Sequence, residues 1–385
     1  MRTPVFAVAW LAIAAGSLAQ SPAAEKAAPP EAGAPGPEAG VSKDRLIESI
    51  RALPTKRSSW GDDAHRKGLR ETEKLLSEKL TALGHTPRFD AVDFLGHRVQ
   101  DHEEGEEKPF NNIVVDLPGT MAKDQVLVLS AHMDAVPIAP GADDDGSGVA
   151  VLLEAARLLK DRPTQRSIRL ILFNLEENGM VGSRVYTARL KADMEAGKTG
   201  GQKVVGMVAM DMLGFYSDAE GSQQMPTIPA MPGMSGFKPP TVGDFIGMAG
   251  ILRFRPFSQA LDKAMHKAEP RVKTVVLDFL PIAPPDLLRS DHAPFLGIGV
   301  PAVILADTAN FRNPNYHKAT DTIETLDMDR LTIAARAVIG GIYTLAGPPG
   351  TTLIDIAPLG PPPPPPAPLP DPAPEKPEPA KPESK

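Results

Sequence analysis

The chain predicts an α/β fold: a mixed, largely parallel central sheet with helices on both faces. Three observations carry this. Runs such as 125–131 (QVLVLSA), 167–174 (SIRLILFN) and 204–211 (VVGMVAMD) are mostly apolar at successive positions, so both faces of those strands must be covered. Segments of helical period separate the strands; 148–160 sets Val149, Leu152, Leu153, Ala156 and Leu159 along one helix face. With its two compositionally biased ends set aside, the body at 43–349 has the length of one α/β domain.

Residues 1–20 have one Arg before an apolar run and small residues after it, the pattern of a secretory signal peptide. The run is too short to span a bilayer, and no later segment is long and apolar enough to do so. Export to the periplasm or the exterior is therefore expected. Residues 21–42 are almost all Ala, Pro, Glu and Gly and read as a disordered linker. Helices are expected at 44–53 and 66–83, the second placing Leu69, Leu75, Leu76 and Leu80 near one face. Strands are expected at 112–117, 125–131, 167–174, 204–211, 274–279 and 302–306. A closing helix at 328–345 has Asp327 as its N-cap. Residues 223–240 carry too many Pro, Gly and Met residues for a regular element and read as a loop. The tail, 350–385, is proline-rich and reads as solvated polyproline II.

Composition narrows the function. Hydrophobic content of 42% and charged content of 23% are those of a soluble globular protein. A net charge of -7 argues against a nucleic-acid or anionic-membrane partner, either of which favours a basic patch. The absence of cysteine excludes a disulfide scaffold, thiolate-ligated zinc and a thiol nucleophile.

Five segments end in the same chemistry. His132 and Asp134 close the strand at 125–131. Asp143, Asp144 and Asp145 fill the loop that follows it. Glu176 and Glu177 come after LILFN, Asp211 ends VVGMVAMD, and His317 sits in NPNYHKATDT. Unpaired carboxylates at the end of a core strand repel one another and resist desolvation, and a divalent cation removes both problems. Since α/β sheets gather functional residues at the carboxyl ends of their strands, these five are candidates for one crevice. Singly, each has an ordinary explanation as a solvated turn or a helix cap, and Asp145 and Ser147 fit the cap role. Five in order, mostly after apolar strands, are poorly explained as accidents. His65, His85, His97, His102 and His266 have no motif around them and read as surface residues.

The ordered set HMD, PGADDDGSG, EENG, MDM and YHKATDT resembles the M28 family of zinc peptidases across most of the folded body. SDHAPFLGIGVPAVIL and FRNPNYHKATDTIETLD are similar to segments of the same family. The resemblance implies two Zn²⁺ per chain. One would be bound by His132 and Asp211, the other by Glu177 and His317, with Asp143 bridging them. Glu176 would be the general base toward a water between the metals. Asp134 and Asp144 would support the ligands without binding metal, and a cis peptide bond would join Asp143 to Asp144. Asp291, His292 and Tyr316 would line or back the cleft. Some relatives place an oxyanion-stabilising Tyr upstream of the SDH segment; here that stretch has none, which leaves Tyr316, Asn315 or the metals for the role. Three carboxylates and a hydroxide balance two Zn²⁺, whereas one would leave the site anionic. The expected activity is that of a secreted exopeptidase, foremost an aminopeptidase, acting on a peptide or small amide. Carboxypeptidase or dipeptidase specificity on the same site, a single-zinc acyltransferase of glutaminyl-cyclase type and a non-catalytic binding domain are the alternatives.

Overall fold

The computed structural model describes residues 35–92, 109–224, 239–279 and 285–360. Its centre is an eight-stranded sheet in the order β1-β2-β4-β3-β5-β8-β6-β7. The strands are β1 (Arg88–Ala91), β2 (Asn111–Leu117), β3 (Ala122–His132), β4 (Arg166–Phe173), β5 (Lys203–Met210), β6 (Ile246–Ile251), β7 (Thr274–Phe279) and β8 (Ala302–Ala306). β3 runs parallel to β4 and β5, and β5 parallel to β8. β1, β2 and β4 pair antiparallel, as do β6 and β8, while β6 and β7 are parallel. The sheet is mixed, with a parallel centre.

Apolar runs of period one become two faces of period two. Along β3, Leu127, Leu129 and Ala131 enter one core cluster, and Val126 and Val128 enter the other. β4 repeats this with Leu170 and Leu172 against Ile171 and Phe173. Helices cover both sides, as such strands require. The larger core holds α1 (Lys43–Ala52), α2 (Asp63–Ala82), α3 (Gly146–Leu159), α5 (Arg255–Ala268) and α7 (Met328–Ala346). The smaller holds α4 (Val181–Glu195) and α6 (His292–Gly297), with Tyr186 and Phe295 against Phe173. Caps fix where helices start. The Asp327 carboxylate accepts from the N–H groups of Asp329 and Arg330 at the start of α7.

The ends of the body differ from expectation. Within the expected linker, residues 37–40 form a short 3₁₀ turn with Pro37 buried, and Val41 is buried too. Within the expected tail, Ile356 is buried, and Arg166 Nη2 donates to the Ile354 carbonyl at 2.9 Å. A few apolar side chains and open carbonyls in biased sequence suffice to dock it. The expected signal peptide, the rest of the linker and tail, and most of the loop at 223–240 lie outside the described residues. Two of the motif-free histidines are also inside rather than on the surface. His65 completes the capping box of α2, and His85 Nε2 lies 2.9 Å from the Ala156 carbonyl. Among the described residues no helix is long and apolar enough to cross a membrane.

Candidate metal centre

β3, β4, β5 and β8 are mutually parallel or linked by parallel pairs, so their carboxyl ends share one edge. His132 is the last residue of β3. Asp211 follows β5 directly, and Glu176 and Glu177 follow β4 after a short turn. His317 lies in the loop beyond β8. Three residues here hold the left-handed backbone that non-glycine residues rarely adopt: Leu175 (φ 58°), Met212 (φ 66°) and His317 (φ 56°). Each costs about 1–3 kcal/mol, and such strain collects at functional sites.

Asp144 sits between the two histidines. Its Oδ1 lies 3.1 Å from His132 Nε2, and its Oδ2 lies 3.1 Å from His317 Nε2. His132 Nε2 is also 3.8 Å from Asp211 Oδ1, and His317 Nε2 is 3.2 Å from Glu177 Oε2. The result is two ligand groups, His132–Asp144–Asp211 and Asp144–Glu177–His317, that share one carboxylate.

The donor set fits zinc. Zn–N and Zn–O bonds of about 2.0–2.1 Å in a tetrahedron separate neighbouring ligand atoms by about 3.3 Å, and the separations above bracket that value. Both ring nitrogens of His132 and Glu177 Oε1 are buried without a hydrogen-bond partner among the described residues. The group is also short of positive charge. Burial raises Glu177 to about 7, and the Asp144 charge adds to the rise. Burial pulls His317 down, but Asp144 and Glu177 overcome this and hold it near 10. Burial likewise opposes protonation of His132, which Asp134, Asp144 and Asp211 nevertheless raise well above the usual range. Divalent cations would supply the missing charge.

Asp143, expected as the bridge, is not in either group. Its Oδ1 accepts from Gly214 N at 2.8 Å and its Oδ2 from Asn313 Nδ2 at 2.8 Å. Burial and the charge of Asp307 raise its pKa well above the carboxylate range, and both of its oxygens are already taken by N–H donors. Asp144, expected as a supporting residue, takes the central place instead. Burial opposes its ionisation, but the two histidines facing its oxygens outweigh that and hold it below the usual range. The cis peptide bond correspondingly joins Asp144 to Asp145 rather than Asp143 to Asp144.

The remaining expected residues surround the group. Asp134 accepts from the N–H of Glu176 and of Glu177, both at 3.1 Å, and its Oδ1 lies 3.5 Å from His132 Nδ1. One carboxylate thus fixes the turn that carries both glutamates and lies beside the His132 ring. Glu176 is buried; burial first, then the charges of Asp211, Asp291 and Glu177 against the opposing pull of His132, raise its pKa well above the usual range. Asp145 caps α3 through Gly148 N (3.0 Å) and accepts from His132 N (3.0 Å). A Cβ at position 148 would collide with that carboxylate, so the cap requires glycine. Asp291 is buried and raised by burial to about 7, and His292 is lowered by burial to about 4 with Nε2 on the Leu287 carbonyl. Neither belongs to a ligand group. Tyr316 stacks on His317 at 3.9 Å, and its hydroxyl accepts from Arg289 Nη2 at 3.0 Å. A largely apolar cleft runs from Asp211 and Tyr316 along Met248, Leu277, Ile304 and Phe311.

Arg57, Asp307, Asn313 and Asp321 were not singled out in the sequence, yet each hydrogen-bonds the Asp143–Asp144 segment or is charge-coupled to it. Asn313 and Asp321 stand inside a recognised segment, NPNYHKATDT.

The sequence model of Peptidase family M28 matches residues 112–235 and 244–341, more than half of the chain. Aminopeptidase YwaD of Bacillus subtilis is 26% identical over 243 residues, covering 60% of this chain and 44% of that protein. The chain therefore spans less than half the length of that relative. Two solved structures share the fold. The LapA aminopeptidase of Legionella pneumophila has a TM-score of 0.58 at 20% identity, covering 81% of this chain and 74% of its own. The glutaminyl cyclase of Fimbriiglobus ruber has a TM-score of 0.58 at 16% identity, covering 79% and 95%.

Proposed function

Because the chain belongs to peptidase family M28, we propose that it is a two-zinc exopeptidase that removes apolar residues from peptide N-termini. The observation that carries this is the pair of ligand groups joined through Asp144, with the buried Glu176 beside them. His132 and Asp211 would hold one zinc, Glu177 and His317 the other, and Asp144 both. When bound, the metals supply Lewis acidity toward the scissile carbonyl and toward water. Glu176, its pKa raised by burial, takes the proton of the attacking water on its carboxylate and returns a proton to the leaving amine. Asp134 holds the glutamate turn still while this happens. The cleft along Met248, Leu277 and Ile304 is shaped for an apolar side chain next to the scissile bond.

Fold alone does not choose between peptidase and cyclase, since both share it. Asp144 does favour one: a carboxylate with a histidine facing each oxygen suits two metals, whereas a single-zinc site has no use for the second histidine. The test is zinc content per chain on purified protein, followed by hydrolysis of leucine p-nitroanilide with and without a chelator. About two zinc with chelator-sensitive release is expected. About one zinc, with cyclisation of N-terminal glutamine and no anilide release, would refute the proposal; two zinc with activity confined to free C-termini would refute its aminopeptidase part. Export follows from the reading of residues 1–20, and fractionation of a producing cell tests it.

A further inference from the structure

Arg57 is a cation almost completely out of solvent, at 1% exposure, yet among the described residues no carboxylate hydrogen-bonds its guanidinium. All of its donors go to backbone carbonyls. Nε donates to Met133 O (3.0 Å), Nη1 to Pro140 O (2.5 Å) and Pro54 O (3.3 Å), and Nη2 to Gly141 O (2.5 Å) and Asp144 O (3.5 Å). All of these acceptors but Pro54 O lie along the loop from the end of β3 to Asp144, and the Arg57 carbonyl accepts from Ala135 N in the same loop. Gly141 allows the approach: its φ is +68°, and a Cβ there would strike both Asp144 O and the guanidinium.

Asp321 grips the same loop through its N–H groups. Its two carboxylate oxygens accept from Asp143 N (2.9 Å) and Asp144 N (3.2 Å), and its carbonyl accepts from Ala142 N (3.3 Å). Buried ions are costly unless every donor and acceptor is used, and here the guanidinium's five donors are used. The backbone of Asp144 is thus held by an arginine at its carbonyl and an aspartate at its N–H, and these partners come from segments on either side of the loop.

We propose that Arg57 and Asp321 are positioning residues for metal binding: together they fix the Asp144 carboxylate between the two histidines and turn Asp143 away. Arg57 lies outside the part of the chain that the family model matches. The inference rests on the two-metal reading above. Because Asp144 is shared, loosening it weakens both metals together, which a defect at a single ligand does not do.

The experiment is a calorimetric zinc titration of the full chain after chelator stripping, for wild type, Arg57→Lys and Asp321→Asn. Circular dichroism first establishes that each metal-free variant is folded. Lysine keeps the charge but offers three donors in place of the planar fork; asparagine leaves one of the two backbone N–H groups without an acceptor. Both variants should lose about 10–100-fold in zinc affinity, the range for residues that orient metal ligands, and should lose it at both equivalents. Cobalt in place of zinc should give an altered visible spectrum in both. If Arg57→Lys does not fold, Asp321→Asn decides the question. A lowered melting temperature with a wild-type isotherm would overturn the proposal while leaving the two-metal reading intact. A wild type that takes up no second metal would overturn both.

Discussion

Strands β3, β4 and β5 and strands β6, β7 and β8 belong to one sheet but are held differently. In β3, Leu127, Val128 and Leu129 are wholly buried, and β4 and β5 flank it in parallel register. β7 is an edge strand whose described side chains are half-exposed, and β6 reverses direction against β8. The first half delivers His132, Glu176, Glu177 and Asp211; the second delivers much of the cleft wall, with Met248, Leu277 and Ile304. Ligand positions need a frame that does not yield, because misplacement of about 1 Å is costly to catalysis. A wall that only sorts side chains can sit nearer solvent and change freely. The comparison predicts that changes in the first half abolish reaction, while changes in the second redirect it.

Glu176→Gln should therefore have the largest effect. It removes the proton acceptor but no ligand, so turnover should fall by about 10²–10⁴-fold while zinc per chain is unchanged. Near-wild-type turnover by the metal-replete variant would remove Glu176 from its role. On the wall, Leu277→Glu puts a charge on a half-exposed edge-strand position facing the cleft. It should reduce kcat/KM for leucine p-nitroanilide by about 10–200-fold, with less loss on a lysine substrate. Equal loss on both substrates would mean that the cleft does not read the side chain.

The smallest effect is on the stability of the metal-free chain. Glu177 and Asp291 are each raised by burial to about 7. A carboxylate raised on folding contributes most below its unfolded pKa, and that contribution is lost as pH rises through the folded value. His292, lowered to about 4, acts in the opposite sense below about 6.5; above that, His317, raised to near 10, loses its contribution in the same direction as the carboxylates. The metal-free chain should melt at lower temperature at pH 8 than at pH 6.5, and the zinc-loaded chain should lose less. Parallel melting curves for the two forms would show that these carboxylates do not feel the metal.

Much of the frame was legible because burial on two faces leaves consecutive apolar residues, and β3, β4, β5 and α3 are written that way. α5 has a sequence signal of its own, with Pro256 in its first turn and an amphipathic pattern. β1 and β6 were not legible. The first has four residues, and the second, IGMAGI, has glycines where side chains would show alternation. At the site, the residue types and their order could be read, but the choice among Asp143, Asp144 and Asp145 could not. Three identical side chains in a row differ only in what the fold sets beside them: Asn313 and Asp307 at the first, two histidines at the second, the start of α3 at the third. Asn313, for one, lies 170 residues from Asp143 in the chain. Arg57, isolated in TKRSSW, carried no local signal of its role.

The most direct test of the two-metal account is zinc per chain in Asp144→Asn and Asp143→Asn, prepared side by side with wild type. Asp144→Asn removes the shared anionic ligand and should leave fewer than two zinc bound, with both weakened. Asp143→Asn changes a side chain whose oxygens accept from Gly214 N and Asn313 Nδ2 and which belongs to neither ligand group, and should retain two. The reverse pattern, with Asp143→Asn losing metal and Asp144→Asn keeping it, would contradict the account at its centre.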